Sequence, residues 1–298
     1  MDAVLRELAL SQGGVLTCAQ IDRNVAARAL RAGELVRVRR RVVGLASVAT
    51  DRLELAAAVL VTAADVVVTH QSAARVHGLP LWTPYDGPPV LSRVRQPGCP
   101  VPGRQRVSPL ASVIDPVDRT VVDGLPIGTV ARTAVDLARG GPLAGSVMAV
   151  DAALRMGVTR AELEGVLDRC RGWPGRRVAV EAVSFGDALA ESPLESLVRL
   201  RMHEGGLPAP ELQVQLGDRY GPLARVDFLV DGRVVVEADG MLKYDDPGAL
   251  RQEKLREDRL RDLGFEVVRC TWAEVVGGPD LLISRIRRAL ARPDRRAS

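Results

Sequence analysis

Apolar residues recur at helical spacing through residues 3–10 and stop at Gly13-Gly14, which predicts a short amphipathic helix. Residues 15–16 read as a brief strand. Thr17 is positioned to cap a helix over 18–23, and Asn24 a further helix over 25–32 that ends at Gly33. Two apolar strands follow, 35–38 and 42–45, joined by Arg39-Arg40-Arg41. Helix, helix and basic hairpin in this order predict a winged helix-turn-helix over residues 1–50.

The middle segment, 51–185, mixes signals. Helical periodicity covers 52–61, 71–77, 130–139, 143–154 and 159–170, the last capped by Thr159. Residues 65–69 form a short apolar run, and prolines between 80 and 102 break the chain into loops and short strands. His70, Ser72 and His77 lie close together, but no GxSxG or oxyanion-hole pattern accompanies them, so capping and core hydrogen bonding are the expected roles. Arg132 and Asp136, four apart on a helix, are expected to form an ion pair.

The third segment, 186–292, is the most regular. Ser192-Pro193 opens a helix to about 203. Strands are predicted at 212–216, 225–230 and 233–239, the last two joined around Asp231-Gly232. Asp246-Pro247 starts a long charged helix that ends before Gly264. A strand at 265–271 and a helix at 279–292 complete the order. The whole is an α/β chain (α+β overall): winged helix, middle α/β region, and a C-terminal mixed sheet covered by helices.

Composition sharpens this picture. The chain has 298 residues, 47% hydrophobic but only 3% aromatic, so base stacking is not expected to dominate any nucleic-acid contact. Residues 1–50 hold eight arginines against four acids, which accounts for the formal net charge of +4. A basic module on a neutral body points to an anionic partner. Arg28 and Arg31 on the second helix are expected to meet bases or phosphates of DNA, and Arg37, Arg39, Arg40 and Arg41 on the hairpin to neutralise phosphates. The four cysteines are dispersed, which argues against a zinc site or disulfide framework. Neither a signal-peptide pattern nor a membrane-length apolar run is present, so a cytoplasmic location is expected.

The apolar hairpin near 225–239 carries Asp227, Glu237 and Asp239. Buried strands keep acids only when something neutralises them, and a hard divalent cation such as Mg²⁺ (or Mn²⁺) suits carboxylate oxygens. The arrangement sets a geometric condition. A two-residue turn at Asp231-Gly232 would put Asp227 and Glu237 on opposite faces; an odd loop puts them on one. Glu195, at the edge of its helix's apolar stripe, is either a surface acid favoured by the helix dipole or a further ligand. Lys243 and Lys254 are the chain's two lysines, against thirty-nine arginines, and both lie beside this acidic group. Lysine can exchange a proton when burial lowers its pKa, which arginine cannot.

The run Glu195, Asp227, Glu237-Ala238-Asp239-Gly240, Lys243-Tyr244, Glu253-Lys254 and Gly264-Phe265-Glu266-Val267-Val268-Arg269 resembles relatives of very-short-patch-repair endonucleases, in the PD-(D/E)XK nuclease superfamily. Residues 1–80 more loosely resemble the winged-helix domain of AbiEi-type antitoxins. The first resemblance implies Mg²⁺ held by Asp227, Glu237 and the Ala238 carbonyl, with Glu195 nearby, and hydrolysis of a phosphodiester. The superfamily usually has a lysine where this chain has Asp239, so Lys243 or Lys254 would have to replace it. The second resemblance implies operator DNA as a partner, with a cognate toxin or another protein as a further one. The expected function is therefore a DNA-binding, Mg²⁺-dependent endonuclease. Its alternative is a non-enzymatic regulator or type IV antitoxin-like protein with an inactive nuclease fold.

Overall fold

The computed structural model describes residues 1–62, 65–95, 110–218, 221–239 and 247–293. The chain is of α/β class and divides into two compact units, Met1–Ala149 with Val158–Val183, and Val150–Gly157 with Ser184–Ser298. No helix among the described residues is long and apolar enough to cross a membrane.

The first unit begins with α1 (Ala3–Ser11), β1 (Val15–Thr17), α2 (Arg23–Arg31), β2 (Leu35–Arg39) and β3 (Val42–Leu45). The three strands form an antiparallel sheet in the order β1-β3-β2. Two local expectations are corrected here: the helix predicted over 18–23 is a turn, and Asn24 does not cap the helix that follows. Gln20 explains the first. Its side-chain oxygen accepts from the Thr17 N–H at 2.8 Å and the Thr17 hydroxyl at 3.1 Å, so Thr17 is spent on a turn and caps nothing. The Cys18 N–H is drawn into the sheet by the Arg41 carbonyl, 2.9 Å away. The following helix is a single element capped by Asp22, whose carboxylate accepts from the N–H groups of Asn24 and Val25; Asn24 is not the cap. Residues Ala9, Leu16, Ile21, Ala29, Leu35, Val43 and Leu45 close a small core beneath the module.

The chain continues with α3 (Thr50–Val61), β4 (Val66–Val68), α4 (His70–His77), β5 (Leu91–Val94), β6 (Leu110–Ile114), β7 (Arg119–Val122), β8 (Leu125–Gly128), α5 (Val130–Gly140), α6 (Leu143–Arg155), α7 (Arg160–Arg169) and α8 (Arg176–Phe185), of which α6 from Val150 and α8 from Ser184 are counted with the second unit. The five-stranded mixed sheet of the first unit runs β6-β5-β4-β8-β7. The alanine-rich α3 packs on both sheets, since one core joins Val15 and Val42 to Leu53, Ala56, Ala57, Val66, Leu91 and Ile127. Small side chains permit that double approach. The pair Arg132–Asp136 forms as expected, at 2.8 Å, but it is buried, with Asp118 as a second partner. His70, Ser72 and His77 hold structural hydrogen bonds: His70 Nδ1 to the Thr69 hydroxyl at 3.1 Å, Ser72 Oγ from the Val90 N–H at 2.9 Å, and His77 Nε2 to the Gly128 carbonyl at 2.7 Å.

The β7–β8 hairpin turns on Asp123-Gly124, both at positive φ (49° and 74°), a two-residue loop between Val122 and Leu125. A Cβ on Gly124 would lie 2.2 Å from the Leu10 carbonyl oxygen of α1. The hairpin therefore fits against the N-terminal module only with glycine at this place.

The second unit carries α9 (Pro193–Glu204), β9 (Glu211–Asp218), β10 (Gly221–Val230), β11 (Val234–Asp239), α10 (Pro247–Asp262), β12 (Glu266–Thr271), α11 (Trp272–Gly277) and α12 (Pro279–Leu290). Strands β9, β10 and β11 form an antiparallel meander. The α10 crossover then returns the chain to lay β12 parallel beside β11, which gives the order β12-β11-β10-β9. Val234, Val235 and Val236 are fully buried, as expected for a strand covered on both faces. The Asp246 cap and Gly240 lie outside the described residues.

Gly124→Ala should cost about 3 kcal/mol or more in chemical denaturation, from left-handed strain plus a backbone clash. Gly33→Ala, at φ 71° in open space, should cost only about 1 kcal/mol. Equal losses in the two would refute the close approach.

Candidate metal and phosphodiester site

The hairpin that carries the acids turns on three residues, Asp231, Gly232 and Arg233. Phe228 pairs with Val236 and Val230 with Val234, while Asp231 and Gly232 adopt φ of 50° and 65°. The loop is odd, so the same register sets Asp227 opposite Glu237, and cross-strand partners share a face. Asp227 Oδ2 accepts from the Ala238 N–H at 2.8 Å, which ties the two strands at this level.

Glu195 joins them from α9. Ser192 caps that helix, its hydroxyl accepting from the Glu195 N–H at 3.1 Å. Although it lies in the first turn, Glu195 is only 7% exposed. Its Oε2 accepts from the Glu191 N–H and from Gln213 Nε2, both at 2.8 Å. Gln213 sits in β9 with φ 53°, an unusual backbone for a non-glycine residue. Glu195 is therefore not the surface acid of the first reading.

Burial pushes the Glu195 carboxyl above its ordinary range, and the negative charge of Asp227 pushes it further. Burial likewise raises Asp227, against the hydrogen bond from Ala238 and the charge of Arg256. Two carboxyls desolvated side by side are a place that favours a proton or a cation.

Glu237, also 7% exposed, has different surroundings. Arg256 Nη2 lies 2.7 Å from its Oε1, and Arg269 Nη2 lies 3.3 Å from its Oε2. Arg269 also approaches Asp239 at 3.8 Å and Glu257 at 3.2 Å. Register explains Arg269, because it is the parallel partner of Glu237 across β11 and β12. Helical spacing explains Arg256. Arg256 stands one turn before the buried Leu260, on the side of α10 that meets the sheet. Sequence reasoning assigned no role at the site to Arg256, Arg269 or Gln213. An arginine flanked by Val267, Val268 and Cys270 in a buried strand was the available signal for Arg269. Burial pushes the Cys270 thiol up to about 12, which removes it as a nucleophile.

The structure thus sets Asp227 opposite Glu237, puts Glu195 within electrostatic reach of Asp227, and links Glu237 to Asp239 through Arg269. Lys243 lies outside the described residues; Lys254 is on α10, with its side chain outside them. In the N-terminal module Arg28, Arg31, Arg37, Arg40 and Arg41 are exposed, whereas Arg39 is paired with Glu54 of α3 at 2.9 Å.

Carboxyl oxygen is a donor type that a hard divalent cation accepts, and Asp227 and Glu237 share a face. Among the described residues, no three His, Cys, Asp or Glu side chains form a group arranged to hold a metal ion. Glu237 is turned to the two arginines instead.

No family model matches the chain. It is similar to two uncharacterized proteins of Mycobacterium tuberculosis, MT2308 and Rv2248, each 37% identical over 164 residues. The match covers 54% of this chain and 60% of each relative, so it spans less than two thirds of their length.

Asp227→Asn and Glu195→Gln should each raise the melting temperature of the metal-free protein at pH 7, by about 2 °C or more. The sign follows from the raised folded-state pKa values. Folding favours the protonated carboxyl, so that stability is present at acid pH and lost as pH rises through the folded pKa. The advantage of the amide variants should therefore shrink toward pH 4. A fall in melting temperature at pH 7 in both variants would show that the carboxylates are stabilising as charges.

Proposed function

We propose that this chain is a cytoplasmic DNA-binding protein whose second unit hydrolyses phosphodiester bonds with a divalent cation, as a PD-(D/E)XK endonuclease related to very-short-patch-repair enzymes. One observation carries the reading. The meander β9-β10-β11, with α9 before it and the α10 crossover to β12 after it, brings Glu195, Asp227 and Glu237 to one region, two of them through an odd loop. Asp227, Glu237 and the Ala238 carbonyl would hold Mg²⁺ or Mn²⁺, with Glu195 beside them. When bound, such an ion polarises a phosphodiester oxygen and lowers the pKa of a water. The protein's own residues desolvate the site, fix the carboxylates across two strands, and supply guanidinium groups beside it.

The basic N-terminal module supports DNA as the partner. Arg28 and Arg31 on the exposed side of α2, and Arg40 and Arg41 at the hairpin tip, are the groups for phosphate and base contact. A second reading, a regulator or antitoxin-like protein that binds operator DNA and a cognate toxin without cutting, is favoured by Asp239 at the usual lysine position and by the arginines on Glu237.

Cleavage of supercoiled plasmid in Mg²⁺ and in Mn²⁺ separates these readings. Wild type should nick or linearise it, and Asp227→Ala should lose at least about a hundredfold in rate. Absence of cutting in both ions, with DNA binding intact, selects the regulator. For binding, Arg28→Ala with Arg31→Ala should weaken duplex affinity and reduce the slope of log K against log salt by up to about two. An unchanged salt slope would remove α2 from the interface.

A further inference from the structure

Arg256 and Arg269 converge on one carboxylate from different elements, a helix and a strand. Each Glu237 oxygen has a guanidinium nitrogen against it, at 2.7 Å and 3.3 Å, and Arg269 reaches Asp239 and Glu257 as well. Arg256 is anchored a second time by the Arg225 carbonyl at 3.3 Å. Asp227 and Glu195, by contrast, are held by hydrogen bonds from N–H groups of Ala238, Glu191 and Gln213. Of these three carboxylates, Glu237 is the one with a guanidinium nitrogen against each of its oxygens.

We propose that Arg256 and Arg269 form an exchangeable internal counter-ion. They neutralise Glu237 while the cation is absent, are displaced from it when a divalent cation binds, and then take a phosphate of the nucleic-acid backbone as their new anion. This rests on the reading of Glu237 as a metal ligand. The chemistry permits the exchange, because guanidinium forks match carboxylate and phosphate equally well and stay charged throughout. A phosphate arriving beside the cation replaces the negative charge that the arginines lose. Metal and substrate would therefore bind cooperatively, each removing a cost from the other. Both side chains are partly exposed (29% and 27%), so a ligand can reach them.

The test is Mn²⁺ titration of the full chain by calorimetry, followed by binding of a short DNA duplex with and without Ca²⁺. Arg269→Gln and Arg256→Gln should bind Mn²⁺ about tenfold more tightly than wild type, since competition for Glu237 is relieved. Arg269→Lys, which keeps the charge, should stay near wild type and guards against a variant that fails to fold. Ca²⁺ should tighten duplex binding by wild type, and the two glutamine variants should lose that gain despite holding metal better. Equal or weaker Mn²⁺ affinity in both glutamine variants, with wild type binding and Glu237→Gln not, overturns the exchange and leaves the metal reading standing. Mn²⁺ binding by none of the proteins, or undiminished in Glu237→Gln, overturns the metal reading and the exchange together.

Discussion

Everything distinctive in the second unit follows from placing acids on strands that are otherwise buried. A carboxylate removed from water must be met by hydrogen-bond donors, by a cation, or by a proton. The chain uses the first two around one sheet, on Asp227 and Glu237 of its strands and on Glu195 of the helix before them. Backbone N–H groups meet Asp227 and Glu195, guanidinium groups meet Glu237, and the raised proton affinity of the first two records how incomplete their compensation is. A fold seeking stability alone would have put valine at these positions, as it does at Val234, Val235 and Val236.

The same solution to buried charge recurs away from the site. In the first unit, Arg132 is held by Asp136 and Asp118. Asp118 also receives Arg169, and the Trp173 ring lies 4.7 Å from the Arg139 guanidinium. In the second unit, Arg199 donates to both oxygens of the fully buried Asp151 at 2.9 Å and lies 4.0 Å over the Phe185 ring. With few aromatic side chains to lock its cores, the chain fixes helices with directional guanidinium–carboxylate contacts. Such contacts specify geometry more than they add stability, while removal of one partner typically costs about 3–5 kcal/mol.

The sequence made the helices and strands of residues 190–290 readable because caps, glycine stops and apolar runs agree there: Ser192-Pro193, Gly264 and Val234–Val236 all point the same way. It was less informative where one residue had two local options. Thr17 reads as a helix cap, but Gln20 three positions later competes for it and makes a turn. The middle sheet was obscure for another reason. Its strands have three to five residues each and several are parallel or mixed, so pairing depends on partners distant in sequence. The site was half legible. Carboxylates in apolar strands announce themselves, and Arg269 carries a weaker signal of the same kind, whereas Arg256 looks like an ordinary charge of a solvated helix.

The dipeptide Asp-Gly occurs at two of the hairpins, and it does not decide the loop. At Asp123-Gly124 it spans two residues; at Asp231-Gly232 it shares the turn with Arg233. That difference of one residue acts as a parity bit for β10 and β11. Inserting or deleting a single residue there would turn every side chain of one strand over, sending Asp227 or Glu237 into the opposite layer. The pairing of Asp227 with Glu237 on one face therefore survives changes in the length of this turn only in steps of two.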